Sequence, residues 1–132
     1  MKMVFVDTSG FYAVLDSTDP FHAVATEAFQ RAERERWDLR TTNYIVHESW
    51  ALIQHRLGWD AVDDFMDAML PLCRVEFVDA ALHDLGGVQC RQARQRHLSL
   101  TDCVSLEYMR QHQIREAIAR DEHFARQQIA LP

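Results

Sequence analysis

Short apolar runs alternate with longer amphipathic segments along this chain, and this alternation limits the possible folds more than any other feature. Apolar or β-rich runs predict strands at 2–6, 37–42, 74–78, 116–119 and 129–131. Apolar residues at helical spacing predict helices at 11–15, 21–36, 43–57, 59–70 and 80–97, and from Ser99 or Thr101 to 112. Because strands separated by helices usually pair in parallel, we expect an α/β fold with helices on both faces of a parallel sheet.

The composition is that of one folded unit, and we expect a single domain over residues 1–132. The chain is 48% hydrophobic and 26% charged, with only 4 Gly and 3 Pro, which is typical of a compact, helix-rich globule. No apolar run approaches the roughly 20 residues that a membrane-spanning helix needs. Asp7 interrupts the first apolar run too early for a signal peptide, so we expect a cytoplasmic protein with no membrane contact.

The net charge and the cysteines exclude two classes of protein. A net charge of −6 argues against a protein that coats nucleic acid nonspecifically, because phosphate affinity usually needs a basic surface. It does not exclude a nuclease, since four carboxylates gathered around a metal would account for most of that charge. Cys73, Cys90 and Cys103 lack the CxxC spacing, so we expect buried free thiols rather than disulfides or a zinc site.

Four acids along the chain are candidates for one site. Asp7 and Asp121 each follow a predicted strand, and ligands of parallel sheets bind beyond the carboxyl ends of the strands. Glu48 borders the apolar stripe of its helix, and Asp102 lies in the first turn of another. Taken singly, such acids are more often structural: Asp7 as a helix cap, Glu48 as an exposed helical residue, Asp102 as a first-turn charge and Asp121 as a turn or cap residue. If the four acids share one cleft they repel one another, and a bound cation would neutralise them. Carboxylate oxygens select Mg²⁺ or Mn²⁺. A water bound to such a cation can attack a phosphodiester, so the pattern indicates phosphodiester hydrolysis.

Four segments in order resemble the four motifs of the PIN-domain nucleases, and the resemblance covers essentially the whole chain. No single motif is specific, but their order and spacing together are. The segments are 6–13 (VDTSGFYA), 42–48 (TNYIVHE), 100–103 (LTDC) and 121–124 (DEHF). Many small members of the family are VapC-like toxins of toxin–antitoxin pairs. The resemblance implies a three-layer α/β/α sandwich and Mg²⁺- or Mn²⁺-dependent cleavage of RNA.

The motif positions imply a role for each matched residue. Asp7, Glu48, Asp102 and Asp121 would form the acidic quartet, in which Asp7 and Asp102 bind the principal metal directly. Glu48 would bind it or orient the attacking water, and Asp121 would complete a second metal position, directly or through water. Supporting hydroxyls are implied at Thr8, Ser9 and Thr101. Ala119 stands where many members carry a hydroxyl residue, and this departure makes Asp121 the least secure ligand.

Basic residues near the fourth motif are possible contacts for substrate phosphate. Arg120, His123 and Arg126 flank or follow Asp121, although packing or surface placement explains His123 as well. The basic stretch at 91–97 either contacts the RNA backbone or is a solvated helix face. The resemblance further implies an RNA substrate, a cognate antitoxin and a homodimer.

Three other functions are compatible with parts of this pattern. A PIN nuclease of RNA processing would lack an antitoxin, and a small antitoxin gene directly upstream distinguishes the two. A PIN-like module that binds RNA or protein without catalysis would not bind manganese, although the four acids argue against it. A phosphatase forming an aspartyl phosphate on Asp7 would usually carry a second Asp two residues on, where this chain has Ser9.

Overall fold

A parallel four-stranded sheet forms the centre of the computed structural model, which describes residues 1–120, 124 and 129–132. The strands lie in the order β3-β2-β1-β4, and all three pairings are parallel. Their bounds are β1 Met3–Val6, β2 Asp38–Thr42, β3 Cys73–Glu76 and β4 Ala117–Ile118. Successive residues Val4, Phe5 and Val6 are all fully buried. Since successive side chains of a strand point to opposite faces, both faces of the sheet are covered, as expected for parallel strands.

Six α-helices lie within the described residues. They are α1 Thr8–Leu15, α2 His22–Glu35, α3 Asn43–Leu57, α4 Trp59–Asp64, α5 Ala80–Ala93 and α6 Leu100–Gln111. Helix α1 packs on both α2 and α3, α3 packs on α4, and α5 packs on α6. The expected α/β architecture, with helices on both faces of a parallel sheet, is confirmed. No helix of the described residues is long and apolar enough to cross a membrane.

Capping residues determine where the helices around the sheet begin and end. Thr42 accepts a hydrogen bond from the Ile45 N–H and caps α3, which begins at Asn43 as predicted, and Gly58 ends the helix with a positive φ of 93°. Helix α1 begins at Thr8 rather than at the predicted residue 11, because the Asp7 side chain caps it. The predicted helix 80–97 stops at Ala93, because Arg94 adopts a left-handed conformation.

The segment predicted as one helix over 59–70 is irregular. After α4, the chain forms a π-helical turn over Phe65–Met69 and a 3₁₀ turn over Leu70–Leu72. Pro71 lacks a backbone N–H and cannot continue an α-helix, which accounts for the 3₁₀ ending. The predicted strand 129–131 is reduced to a single bridge, in which Ala130 pairs with Glu116 beside β4.

The strand order places a crevice beside the end of β1. The chain proceeds from β1 outwards to β2 and β3 and then returns to β4 on the other side of β1. In sheets of this kind the ligand site lies where the strand order reverses, beyond the carboxyl ends of the strands. Gly10 keeps α1 close to β4, because a Cβ atom at this position would lie 2.9 Å from Ile118 Cγ2. Asp7, after β1, and Arg120, after β4, therefore lie at the same edge of the sheet.

Candidate active site

Asp7 lies directly after β1 and is buried, with 5% of its surface exposed. It caps α1, and its Oδ2 accepts hydrogen bonds from the Ser9 hydroxyl (2.8 Å) and the Ser9 N–H (3.3 Å). Burial raises the pKa of Asp7 from 3.8 to about 7, against the opposing effect of the Ser9 hydrogen bonds. The negative charges of Asp102 and Glu48 contribute smaller parts of the same shift. The metal-free protein therefore holds a carboxyl group whose ionised form is unfavourable.

Glu48 approaches Asp7 from the second turn of α3. The Thr8 hydroxyl donates to Glu48 Oε1 at 2.6 Å, and the Ser49 hydroxyl donates to Thr8 Oγ1 at 3.2 Å. Ser49 is fully buried and Thr8 is 6% exposed, so this chain of hydroxyls is shielded from water. It holds the Glu48 carboxylate in a defined position relative to the start of α1.

Asp102 occupies the first turn of α6 and serves two purposes. Its Oδ2 accepts a hydrogen bond from the Ser99 N–H, and the Ser99 hydroxyl accepts one from the Asp102 N–H, both at 3.0 Å. This reciprocal capping box has Ser99 as the N-cap and gives Asp102, as expected, a structural role in the first turn of α6. The same side chain also lines the cavity that contains Asp7 and Glu48. Three acids separated by up to 95 positions therefore face a common space.

That space is an open cavity of about 460 Å³ at the carboxyl ends of the strands. The cavity is lined by the three acids and by Thr8, Ser9, Tyr12, Asp19, Leu52, Arg56, Ser99 and Arg120. The Arg120 N–H donates to Ser9 Oγ at 2.9 Å, and the same hydroxyl donates to Asp7. Ser9 thus ties the end of β4 to the buried carboxylate. The Arg120 guanidinium lies 3.6 Å from Asp19 Oδ1.

Comparisons with known proteins show which family the chain belongs to. A family model described as the PIN domain matches residues 4–129 of the chain. The chain belongs to the PIN domain family. The 23S rRNA-specific endonuclease VapC20 of Mycobacterium tuberculosis, from two strains, is 29% identical over 124 residues, which are 93% of this chain and 92% of the relative. The crystal structure of M. tuberculosis VapC20, described as a sarcin-ricin loop cleaving toxin, matches with a TM-score of 0.83 at 27% identity over 96% of each chain.

The structure of this PIN domain brings together most, but not all, of the residues singled out by its motifs. Thr8 and Ser9 support Glu48 and Asp7 as described above, whereas Thr101 lines an adjoining cavity with Asn43, Tyr44, His47 and Leu100. Asp121, His123 and Arg126 lie outside the described residues, and their proposed roles stay predictions.

Five residues of the cavity were not predicted as site residues, although Tyr12 lies within the first motif: Tyr12, Asp19, Leu52, Arg56 and Ser99. Helical spacing was the signal for two of them, since Leu52 and Arg56 follow Glu48 by four and eight positions on one face of α3. No comparable signal exists for Asp19, which lies in the loop before α2.

The donor set of the PIN domain suits a hard divalent cation, the kind of metal that nucleases of this family use. Within residues 1–120, 124 and 129–132, no three His, Cys, Asp or Glu side chains are arranged closely enough to hold a metal as they stand. The acids of the cavity nevertheless offer carboxylate oxygens, the ligands that Mg²⁺ and Mn²⁺ prefer. A cation beside Asp7 would favour its ionised form, which burial and the neighbouring acids disfavour.

Proposed function

We propose that this chain is a divalent-metal-dependent endoribonuclease that hydrolyses RNA phosphodiester bonds as the toxin of a type II toxin–antitoxin pair. The observation that carries the proposal is the convergence of Asp7, Glu48 and Asp102 on one cavity at the carboxyl edge of the sheet. The homology to an endonuclease that acts on 23S rRNA supports RNA as the substrate. Residues 1–132 would act as a single PIN-like domain.

In this proposal Asp7 and Asp102 hold the principal Mg²⁺ or Mn²⁺ ion, and Asp121 completes the acidic quartet. When bound, the cation supplies positive charge that neutralises the carboxylates and the charge that develops on the phosphate. Ser9 keeps the Asp7 carboxylate oriented through its hydroxyl and N–H hydrogen bonds. Thr101, outside the cavity, would support Asp102 only through the backbone of α6.

Glu48 would act on the attacking water. One of its oxygens accepts the Thr8 hydrogen bond, which orients the carboxylate as a proton acceptor within the cavity. Glu48 would accept a proton from the water as the water oxygen bonds to phosphorus and the bond from phosphorus to the ribose oxygen breaks. The ribose oxygen would leave as an alkoxide and take up a proton from solvent. Arg120, at the mouth of the cavity, is placed to contact a phosphate oxygen, and His123 and Arg126 are proposed as further phosphate contacts.

Metal titration and RNA cleavage test this proposal together. We expect Mn²⁺ to bind the wild-type protein, and an RNA oligonucleotide carrying the sarcin-ricin loop to be cut only when Mn²⁺ or Mg²⁺ is present. The matched variant is Glu48→Gln, which keeps the shape and the acceptor for Thr8 but removes the charge. Failure of the wild-type protein to bind metal would leave a non-catalytic binding module as the function. Full metal-dependent activity of Glu48→Gln would remove Glu48 from the site.

The proposal extends to partners and location. An apolar cavity of about 520 Å³ along α3 includes Val46, Trp50, Ala51 and Phe77, and 76% of Phe77 is exposed. Exposed apolar surface of this kind supports a protein contact, and we propose a homodimer, a cognate antitoxin and a cytoplasmic location. Light scattering of the purified chain tests the dimer, and co-purification with the product of an adjacent small gene tests the antitoxin. A monomeric chain without such a neighbour would favour a nuclease of RNA processing.

A further inference from the structure

Two pairs of side chains connect α1 and α3 along one wall of the cavity. At the inner end, Thr8 of α1 donates a hydrogen bond to Glu48 of α3 at 2.6 Å. Further out, the Arg56 guanidinium lies over the Tyr12 ring, with its carbon 5.5 Å from the ring centroid. Tyr12 is four residues after Thr8, and Arg56 is eight after Glu48, so each helix presents both of its residues on one face. The two helices therefore determine where Arg56 lies relative to the acids.

The Tyr12 ring is a fixed support for the arginine. Tyr12 is only 7% exposed, and its hydroxyl donates to Asp16 Oδ2 at 2.7 Å. The other Asp16 oxygen accepts from the Thr18 hydroxyl at 2.6 Å and the Thr18 N–H at 3.0 Å. A guanidinium that rests against a ring held in this way loses less conformational entropy when it binds a ligand. The contact with Tyr12 therefore favours one position of the Arg56 guanidinium beside the cavity.

Within the part of the chain that the structure describes, Arg56 has no acidic partner. No carboxylate among residues 1–120, 124 and 129–132 forms an ion pair with Arg56. Arg120, which also lines the cavity, lies beside Asp19. Arg56 is exposed and lines the cavity, so its guanidinium presents donors that suit a phosphate.

We propose that Arg56 is a substrate-binding residue that contacts a phosphate of the RNA strand next to the phosphate that is cleaved. This inference rests on the proposed ribonuclease function and adds a substrate-binding subsite to it. Eight residues of α-helix span about 12 Å, so Arg56 lies two turns along α3 from Glu48 and contacts a flanking phosphate. The strand would then run along the wall formed by α1 and α3, past Leu52.

The first test is RNA binding in EDTA, where no cleavage occurs. Arg56→Gln removes the charge and keeps a polar side chain at this position. Arg34→Gln is the matched control, because Arg34 is also an exposed arginine in the last turn of a helix, α2, and lies outside the cavity. We expect Arg56→Gln to weaken the binding of a single-stranded oligonucleotide about tenfold. One lost phosphate contact should also reduce the slope of log affinity against log salt by about 0.7. Arg34→Gln should change neither, and equal behaviour of the two variants would overturn the proposal.

Kinetics with Mn²⁺ provide the second test. We expect Arg56→Gln to raise KM about tenfold with kcat within about twofold of the wild type, because a flanking contact contributes mainly to binding. Arg56→Lys should keep the salt slope, since the charge remains. If Arg56→Lys shows the same reduced slope of log affinity against log salt as Arg56→Gln, while circular dichroism shows that the fold is retained, the phosphate contact is refuted. If the wild type binds RNA but never cleaves it, the proposed function fails, while the EDTA comparison still decides the role of Arg56.

Discussion

Replacing Asp7 by Asn should stabilise the metal-free protein at neutral and alkaline pH. Burial raises the pKa of Asp7 from 3.8 to about 7, a shift of about three units. Each unit corresponds to about 1.4 kcal/mol, so ionisation of Asp7 costs the folded state about 4 kcal/mol once the pH exceeds 7. Asn is neutral at every pH, and its side-chain oxygen can still accept the two hydrogen bonds from Ser9. Because the structure relaxes around a buried charge, we expect a measured gain of about 1–4 kcal/mol.

The pH dependence of this gain follows from the direction of the shift. Below pH 3.8 Asp7 is protonated in both the folded and the unfolded chain, so the cost of ionising it in the folded state does not reduce the stability of the wild type. Between 3.8 and about 7 the unfolded chain releases the proton more readily, so the wild-type protein loses stability as the pH rises. Above about 7 the loss is complete and the difference between the two proteins becomes constant.

The assay is urea unfolding in EDTA at several pH values between about 5 and 8, comparing the free energies of unfolding of the two proteins. Asp63→Asn, an exposed acid of α4, is the control and should show no such trend. Added Mn²⁺ should stabilise the wild type and leave Asp7→Asn unchanged, because metal binding raises the stability of the folded state alone. A variant less stable than the wild type at pH 8, or a difference that does not grow between pH 5 and 7, would refute the reasoning.

Three further predictions concern packing, thiol reactivity and catalysis. Gly86→Ala should lower the free energy of unfolding in urea by about 1–3 kcal/mol, because the added Cβ atom would lie 2.5 Å from Val104 Cγ2. Gly87→Ala is the control: no atom lies within 4 Å of the added Cβ, so the variant should be more stable by up to about 1 kcal/mol. Burial raises the pKa of Cys103 to about 12, so this thiol should resist iodoacetamide at pH 8 until urea is added; equal labelling rates with and without urea would contradict this. Glu48→Gln should reduce kcat for RNA cleavage by at least about 100-fold while the protein stays folded, and an unchanged kcat would exclude Glu48 as the proton acceptor.

The order of strands and helices was predictable because it depends on short-range patterns. Apolar runs and helical spacing place every strand and helix within a few residues of its observed bounds, apart from 59–70 and the ends of α1 and α5. Caps such as Thr42 and Gly58 act within one helical turn, so they too can be read directly. The irregular turns over Phe65–Met69 and Leu70–Leu72 have no comparable local pattern apart from Pro71.

The sequence by itself determined the parallel α/β fold, the family motifs and the edge of the sheet at which Asp7 would lie. Only the tertiary structure decided which side chains share the cavity, because that depends on distances between elements far apart in the chain. It separates Asp102, which lines the cavity, from its neighbour Thr101, which does not. It also brings Arg56 onto Tyr12 across 44 positions of sequence, a contact set by how α1 packs on α3. Local periodicity indicates which face of each helix is buried, whereas the residue that it meets depends on the packing of the whole chain.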